Sequence, residues 1–194
     1  MEDCYAMFID GDKMVEKIIN IPEGVEIAVD EREILVKGPK GEIRKNFDYP
    51  RYNKVVSISR SVNAVKVSSE SDKRKIKAIV GTFSRHISNM ILGVTKGFRC
   101  TMKVYYSHFP ISVSVKGNEV HIKNFIGEKG ARVANIVGSV SVNVGKDEII
   151  VSGTDVESVG QTAANIEQAC ALSRRDRRIF QDGIFISEKS LEAK

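Results

Sequence analysis

The amino-acid sequence contains two copies of one pattern, at residues 22–38 and 110–124. Each copy begins with a proline and continues as two runs of alternating apolar and polar residues, separated by a short polar turn. Alternation with a period of two is typical of a half-buried β-strand. In the second copy, Gly117 and Asn118 stand between the runs and favour a two-residue hairpin turn, because both residue types tolerate a positive φ angle. The repeat therefore favours a duplicated hairpin unit.

Each hairpin is followed by a glycine-containing loop, a second apolar pair of strands and a helix. The loops are residues 39–41 and 125–130, and the strand pairs are residues 55–58 with 64–67 and residues 140–144 with 148–151. The helices are predicted from apolar residues at steps of three and four, which build one face for packing against a sheet. These residues are Ile76, Ile79, Val80, Phe83, Ile87, Met90 and Ile91 in the first helix, and Val156, Val159, Ala163, Ile166 and Cys170 in the second.

The helix ends are predicted from residues that commonly cap helices. Ser71-Asp72 and Thr154-Asp155 carry side-chain oxygens that can accept hydrogen bonds from the first turn, so the two helices are expected to begin there. Gly93 is expected to end the first helix, because glycine readily adopts the left-handed conformation that often follows a helix.

This order of elements predicts an α+β fold, a duplication of two similar small domains, each with antiparallel β-hairpins or a sheet packed on one α-helix. We expect five regions along the chain. They are an acidic N-terminal extension at 1–20, a first α+β repeat at 21–93, a linker at 94–104, a second repeat at 105–173 and a basic C-terminal segment at 174–194. A duplicated sheet without a catalytic cluster suits a binding or scaffolding protein.

The charge distribution favours a polyanionic partner for most of the chain. The 194 residues carry a formal net charge of +5, but the first 20 contain five acidic residues and two lysines, which leaves +8 on the remainder. Basic side chains neutralise phosphates and release the counterions condensed around them. The cations form three groups: seven between residues 93 and 132, Lys73-Arg74-Lys75 with Lys77, and the arginines at 174, 175, 177 and 178.

The sequence lacks the motifs of several other classes of protein. No stretch approaches the roughly 20 apolar residues that span a bilayer, and the acidic N-terminus has no cationic region of a signal peptide. Cys4, Cys100 and Cys170 are far apart and form no metal-binding pattern, which favours a soluble protein in a reducing compartment. No nucleophile, nucleotide-binding or metalloprotease motif is present, so we expect neither an enzyme nor a bound cofactor or metal.

Residues 126–133, with the sequence IGEKGARV, are a candidate binding site. KH domains clamp an RNA backbone with a GxxG loop of this form, because glycine lets the main chain approach phosphates. In KH domains the loop joins two helices, whereas here a predicted strand precedes it. Two interpretations follow: a phosphate-binding loop on a duplicated sheet fold, and a free RNA-binding protein that uses a KH-like loop.

Several segments together resemble one known family. They are residues 34–41 (ILVKGPKG), 86–111 (HISNMILGVTKGFRCTMKVYYSHFPI), 124–133 (NFIGEKGARV), 147–169 (DEIIVSGTDVESVGQTAANIEQA) and 175–189 (RDRRIFQDGIFISEK). In this order and spacing, the chain resembles the universal large-subunit ribosomal protein family called L-six in bacteria and L-nine in eukaryotes. It is most similar to the eukaryotic and archaeal cytosolic branch. The resemblance implies the same duplicated two-domain fold.

The resemblance also implies a structural constituent of the large ribosomal subunit in the cytoplasm. Such a protein binds large-subunit ribosomal RNA near the sarcin–ricin loop and the stalk base. Neighbouring ribosomal proteins and translational GTPases lie nearby, and we expect neither membrane association nor a homo-oligomer. The family makes its main RNA contacts with the second domain and the C-terminal segment. Carried over by position, the expected contacts are Lys96, Arg99, Lys103, Lys123, Gly127, Lys129, Gly130, Arg132, Arg174, Arg175, Arg177, Arg178 and Lys189.

In this interpretation, the lysines and arginines neutralise phosphates and the glycines admit close approach of the backbone, contacts that position a protein without reading bases. The chain departs from the family pattern after GEK, where members usually carry several arginines. Here Ala131, Val133, Ala134 and Asn135 leave Arg132 nearly alone.

Overall fold

A computed structural model describes residues 15–30, 32–53, 55–61, 63–172, 176 and 178–191. The chain divides into two compact units, Met1–Thr95 and Lys96–Lys194. Each unit has its own apolar core, built from strand residues that alternate between buried and exposed positions and from one face of a helix. The structure therefore confirms the α+β fold class.

The first unit contains six strands and one helix. They are β1 (Val15–Asn20), β2 (Glu26–Asp30), β3 (Glu33–Gly38), β4 (Gly41–Asn46), β5 (Val56–Arg60), β6 (Ala64–Ser69) and α1 (Arg74–Thr95). The strands form two antiparallel three-stranded sheets, in the orders β2-β3-β4 and β1-β6-β5. The predicted apolar face of α1 is buried, and Val80 and Ile87 share one core with Val36 and Val65 from the two sheets.

The second unit contains seven described strands and one described α-helix. They are β7 (Phe98–Tyr105), β8 (Ser112–Lys116), β9 (Glu119–Lys123), β10 (Arg132–Asn135), β11 (Val140–Val144), β12 (Glu148–Gly153), α2 (Val156–Ala169) and β13 (Gly183–Leu191). The strand orders are β10-β9-β8 and β11-β12-β7-β13, again antiparallel. The predicted turn at Gly117 and Asn118 is confirmed, since Lys116 pairs with Glu119 and Gly117 has a φ angle of 59°.

The two units repeat the same elements in the same order, so that β1 to β6 and α1 correspond to β7 to β12 and α2. The correspondence extends to one pair of side chains. The hydroxyl oxygens of Ser57 and Ser68 lie 3.0 Å apart across β5 and β6, and those of Ser141 and Ser152 lie 2.9 Å apart across β11 and β12. β13 has no counterpart among the described strands of the first unit.

The helix ends agree with the prediction for α2 but differ for α1. The Asp155 side chain accepts hydrogen bonds from two amides of the first turn of α2, as expected of a cap. In contrast, α1 begins at Arg74, two residues after the predicted start, and continues through Gly93 to Thr95. The last turn persists because Val94 is fully buried, and its carbonyl oxygen accepts a hydrogen bond from outside the helix. Among the described residues, neither helix is long and apolar enough to cross a membrane.

Besides β4 and β10, which follow the two predicted glycine-containing loops, three regions of the chain contain strands that the sequence analysis did not expect. The end of the predicted acidic extension is β1, which pairs with β6. The predicted linker at 94–104 holds the end of α1 and most of β7, an inner strand of the four-stranded sheet. The predicted C-terminal segment contributes β13 to the other side of β7. Each repeat therefore begins one strand earlier than its sequence pattern indicates.

Candidate nucleic-acid interface

The loop with the GEKG motif lies between β9 and β10 and is longer than its counterpart in the first unit. There, Gly38 pairs with Gly41, so only Pro39 and Lys40 join β3 to β4. In the second unit, residues 124–131 separate the two strands. Since the two units otherwise repeat the same elements, this loop is a place where the second unit can carry a function of its own.

The backbone of the GEKG loop is strained and anchored. Asn124, Ile126 and Gly127 have positive φ angles of 58°, 50° and 73°. Glycine adopts such angles readily, whereas they cost a β-branched residue such as isoleucine roughly 1–3 kcal/mol. Contacts around the loop offset this cost: Phe125 is fully buried, and the side-chain amide of Asn124 donates a hydrogen bond to the carbonyl oxygen of Pro110 at 3.0 Å. Strain held in this way is common at binding sites.

Arg132 fixes the end of the GEKG loop against the last turn of α2. Its Nε and Nη2 atoms donate hydrogen bonds to the two carboxylate oxygens of Glu128, at 2.8 and 2.6 Å. Nη1 donates to the carbonyl oxygens of Ala169 and Ala171, at 2.9 and 3.0 Å. The guanidinium carbon also lies 4.4 Å from the ring centroid of Phe125, a cation–π geometry. Every guanidinium nitrogen is thus engaged within the protein, and the hydrogen bonds to Glu128 raise the pKa of Arg132.

The first unit fixes its shorter loop in a related way. The amide of Lys40 donates a hydrogen bond to the carbonyl oxygen of Val94, near the end of α1, at 2.9 Å. Gly38 permits this approach, because a Cβ atom there would lie 2.7 Å from Cγ2 of Val94. In both units, the loop between the third and fourth strands, or the first residue after it, donates hydrogen bonds to carbonyl groups that a helix end leaves without partners.

The outer side of the GEKG loop presents accessible main chain and one lysine. Lys129 and Gly130 are exposed, and a Cβ atom at Gly130 would meet no atom within 4 Å. A Cβ atom at Gly127 would lie 3.3 Å from the ring of Phe109, so an exposed aromatic ring lies against the loop. A phosphate can therefore approach Lys129 and the main chain together. The loop joins two strands, not the two helices of a KH domain.

A second group of predicted contacts lies on β7 and β13. Cys100 and Met102 of β7 are buried, so Arg99 and Lys103 point to the opposite face of the strand. Lys189 of β13 stands opposite Cys100 in the sheet. Burial raises the pKa of the Cys100 thiol, and the positive charge of Lys189 partly counteracts this effect.

The remaining predicted contacts are dispersed or lie outside the described residues. Lys123 is exposed at the end of β9, where the GEKG loop begins, and Lys96 is exposed just before β7. The Arg178 side chain is 91% exposed, with its Nε atom 3.4 Å from a carboxylate oxygen of Asp176. Arg174, Arg175 and Arg177 lie outside the residues that the structure describes.

The structure contains a Ser–His–Asp cluster that the sequence analysis did not predict. Its geometry is that of a stabilising hydrogen-bond cluster and differs from that of a catalytic triad. The carboxylate of Asp182, which is 2% exposed, accepts hydrogen bonds from the amide and hydroxyl groups of Ser107, at 3.0 and 2.8 Å. His108 Nδ1 lies 3.3 Å from the carboxylate and 3.1 Å from the Ser107 hydroxyl. A catalytic triad needs the two ring nitrogens to contact different partners, but here one nitrogen contacts both. The described residues contain no group of three side chains that could hold a metal ion.

Sequence reasoning also missed the anchors of the loop. Phe109 and Asn124 fix the GEKG loop to the segment that precedes β8. The sequence signal for Phe109 is an aromatic residue directly before a proline in an otherwise polar stretch, and such a residue is easily assigned to the core. The signal for Asn124 is its tolerance of the left-handed conformation, directly after a strand.

Residues 21–97 and 109–183 match the family model of ribosomal protein L6. The chain belongs to the ribosomal protein L6 family. The large ribosomal subunit protein uL6 of Methanothrix thermoacetophila is 49% identical over 179 residues, which cover 91% of this chain and 99% of that protein. The proteins of the same name from Methanosarcina mazei and Ignicoccus hospitalis are 46% and 47% identical. They cover 92% and 89% of this chain, and the matched regions span 99% and 93% of those proteins.

Membership in the L6 family confirms the resemblance found in the sequence and the duplicated α+β fold, since the family model matches twice along the chain. It also confirms that the chain is not an enzyme, because this is a family of ribosomal proteins. The two matched segments begin after β1 and after β7. The structure therefore adds one strand in front of each L6 segment.

Proposed function

We propose that this protein is a structural constituent of the large ribosomal subunit and that it supports translation in the cytoplasm. Its relatives are named large ribosomal subunit proteins, and nearly their whole length aligns with this chain. Within the subunit, we propose that it binds large-subunit ribosomal RNA close to the sarcin–ricin loop and the stalk base. Neighbouring ribosomal proteins would contact it there, with translational GTPases nearby.

The GEKG loop is the observation that carries the RNA-binding part of this proposal. It is specific to the second unit, its backbone is strained at Ile126, and it exposes Lys129 beside accessible main chain. Arg132 and Phe125 hold the loop from inside, so its outer side is already in place before any partner binds. A preformed loop loses less conformational entropy on binding than one that has to order.

The cations on the four-stranded sheet and in the C-terminal segment would supply most of the electrostatic attraction. Arg99 and Lys103 share one face of β7, Lys189 lies on the neighbouring strand, and Arg178 is exposed. Double-helical RNA is bound mainly through its phosphates, its 2′-hydroxyl groups and its shape. These side chains therefore suit the positioning of the protein on folded RNA more than the recognition of a sequence.

Sedimentation of a native lysate on a sucrose gradient tests this function. We expect one copy of the chain in each large subunit after the two subunits are dissociated, and retention through a moderate salt wash. Recovery only in light fractions would contradict the proposal. In that case, a free RNA-binding protein that uses the GEKG loop would be the next hypothesis.

The position within the subunit is tested separately by chemical footprinting of the RNA. Large subunits from cells with and without this protein would be compared. We expect the protected nucleotides to cluster at the sarcin–ricin loop and the stalk base. Protection confined to other regions would contradict the proposed position and leave the assignment to the large subunit intact.

A further inference from the structure

A small cavity lies in the second unit, between the first turns of α2 and the paired ends of β7 and β13. Its volume is about 260 Å³, and its apolar lining includes Phe98, Val156 and Val159. Pockets for drug-sized molecules typically measure about 300–1,000 Å³. This cavity is therefore suited to a single small planar group, such as a nucleobase.

Gly160 keeps one side of this cavity open. It lies inside α2, where glycine is less favourable than alanine because it loses more backbone freedom on folding. A Cβ atom at this position would meet nothing within 4 Å, so packing within the described residues does not require glycine. The space next to it is therefore available to a partner.

The polar groups around the cavity suit an acceptor-rich, negatively charged ligand. Among the residues that the structure describes, the polar ones that line the cavity are Arg99, Lys189 and Ser190, and none of them is a carboxylate. Lys189 is exposed, so it supplies a positive charge that a phosphate next to the cavity can contact.

We propose that this cavity accepts one unpaired nucleotide of the ribosomal RNA. The base would enter beside Phe98 and Gly160, and the phosphate would lie near Lys189. Unpaired RNA bases are commonly stacked on aromatic rings or guanidinium planes and read by hydrogen bonds at their edges, and the Ser190 hydroxyl can provide such a bond. The inference depends on the proposed function and adds a nucleotide-specific site to it.

Among the described strands, the wall of the cavity is particular to the second unit. Its wall includes β13, and no described strand of the first unit occupies the corresponding edge next to β1. The nucleotide site and the longer GEKG loop are thus two features by which the second unit differs from the first.

The variant Gly160→Leu tests the proposal, because a leucine side chain would fill the cavity from the helix side. The full-length protein would be bound to protein-free large-subunit ribosomal RNA, with affinity measured by filter binding and contacts mapped by chemical probing of each nucleotide. Loss of one stacked base corresponds to about a fivefold or greater loss of affinity. We expect that loss, together with lost protection of one unpaired nucleotide and an otherwise unchanged footprint.

Two further variants make the test specific. Gln168→Leu places the same side chain at an exposed position of α2 away from the cavity and should leave the footprint unchanged. Lys189→Gln changes an exposed residue, so it should fold normally, and it should weaken protection of the same nucleotide.

The possible results separate the two proposals. A complete wild-type footprint with both Gly160→Leu and Lys189→Gln would overturn the nucleotide site and leave the proposed function standing. The nucleotide site would also be overturned if Gly160→Leu bound RNA normally but failed to assemble into the large ribosomal subunit. That result would mean that the cavity holds a side chain of a neighbouring protein. The absence of any footprint with the wild-type protein would overturn the proposed function as well.

Discussion

Arg132 connects three parts of the second unit through one guanidinium group. It contacts Glu128 in the GEKG loop, the Phe125 ring beneath the loop, and carbonyl oxygens at the end of α2. Arginine suits this position because its planar group donates in several fixed directions, which a lysine ammonium cannot reproduce. Lys129, three residues earlier, is exposed. The two cations of this short motif therefore have different roles. Arg132 holds the loop through contacts within the protein, and Lys129 is available at the surface.

This division predicts that two alanine substitutions affect different properties, one the stability of the fold and the other the binding of RNA. Arg132→Ala should lower the free energy of unfolding by about 1–3 kcal/mol, because it removes the charge-assisted hydrogen bonds to Glu128 and those to the carbonyl oxygens of Ala169 and Ala171. Lys129→Ala should change it by less than about 0.5 kcal/mol, since the residue is exposed, but should weaken RNA binding. Urea denaturation and filter binding of the full-length variants measure both quantities. Equal stability of the two variants would contradict the structural role of Arg132.

Asp182 is a second residue whose contacts have a measurable consequence. Burial alone would raise the pKa of its carboxyl group, but hydrogen bonds from Ser107 and His108 outweigh that effect and lower the pKa below its ordinary value. The deprotonated form therefore stabilises the fold. This contribution is complete above the ordinary carboxyl pKa of about 3.9 and is lost as the pH falls through the lower, folded-state value.

Asp182→Asn should accordingly reduce the acid sensitivity of the protein. At pH 7 we expect the variant to lose about 1–3 kcal/mol, because an amide is a weaker acceptor than a carboxylate. As the pH falls from about 4 through the lower folded-state pKa, its unfolding free energy should fall less steeply than that of the wild type. Urea titrations across this range provide the comparison, and parallel curves would mean that Asp182 does not contribute to the acid response.

At the scale of elements, sequence periodicity predicted both helices and the strands of the repeated hairpins. It missed β1, β4, β7, β10 and β13, and the structure gives a reason for β7 and β13. β7 alternates clearly but lies between the two repeats and was assigned to a linker. In β13 the register shifts between Ile186 and Glu188, which moves Lys189 to the face that carries Cys100 and interrupts the apolar alternation.

The candidate site was predictable only in part, for a similar reason. A GxxG motif with a lysine can be recognised in the sequence, because its residues are neighbours along the chain. The partners of Arg132 on α2 are 37 and 39 residues away in sequence, and no local pattern encodes such a contact. The same holds for the cavity, which Phe98, Gly160 and Lys189 line from three separate elements.

Replacement of two glycines by alanine should change the free energy of unfolding in opposite directions. Gly38 lies against the end of α1, and Gly160 lies inside α2. Gly38→Ala would place a methyl group 2.7 Å from the Val94 side chain and 3.0 Å from its carbonyl oxygen, so we expect a loss of about 1–3 kcal/mol. Gly160→Ala meets open space inside α2 and should stabilise the protein by about 0.5–1 kcal/mol. Thermal and urea unfolding give both values, and destabilisation by Gly160→Ala would mean that this glycine has a packing role.

At the scale of the whole molecule, one architecture is used twice with different additions. The first unit keeps a short loop between β3 and β4, and its three-stranded sheet begins at β1. The second unit adds β13 and lengthens the loop between β9 and β10. The added parts contain four of the residues that we propose to contact RNA: Gly127, Lys129, Gly130 and Lys189.

The arginines of the C-terminal segment allow a test of this electrostatic contribution. We expect replacement of Arg174, Arg175, Arg177 and Arg178 with alanine to weaken RNA binding without unfolding the protein. If all four contact phosphate, the slope of log affinity against log salt should become shallower by about three to four. Filter binding over a range of salt concentrations measures the slope, and an unchanged value would mean that the cluster is only solvated.

The position of β13 has a consequence for folding during synthesis on the ribosome. Tyr105 and Gly183 pair across β7 and β13, although 78 residues separate them along the chain. At a synthesis rate of about 5–20 residues per second, that interval takes roughly 4–16 s. During these seconds the edge of β7 has no strand beside it and can pair with other chains. A chaperone that binds the nascent chain would therefore prevent aggregation most effectively by covering this edge of β7 during translation.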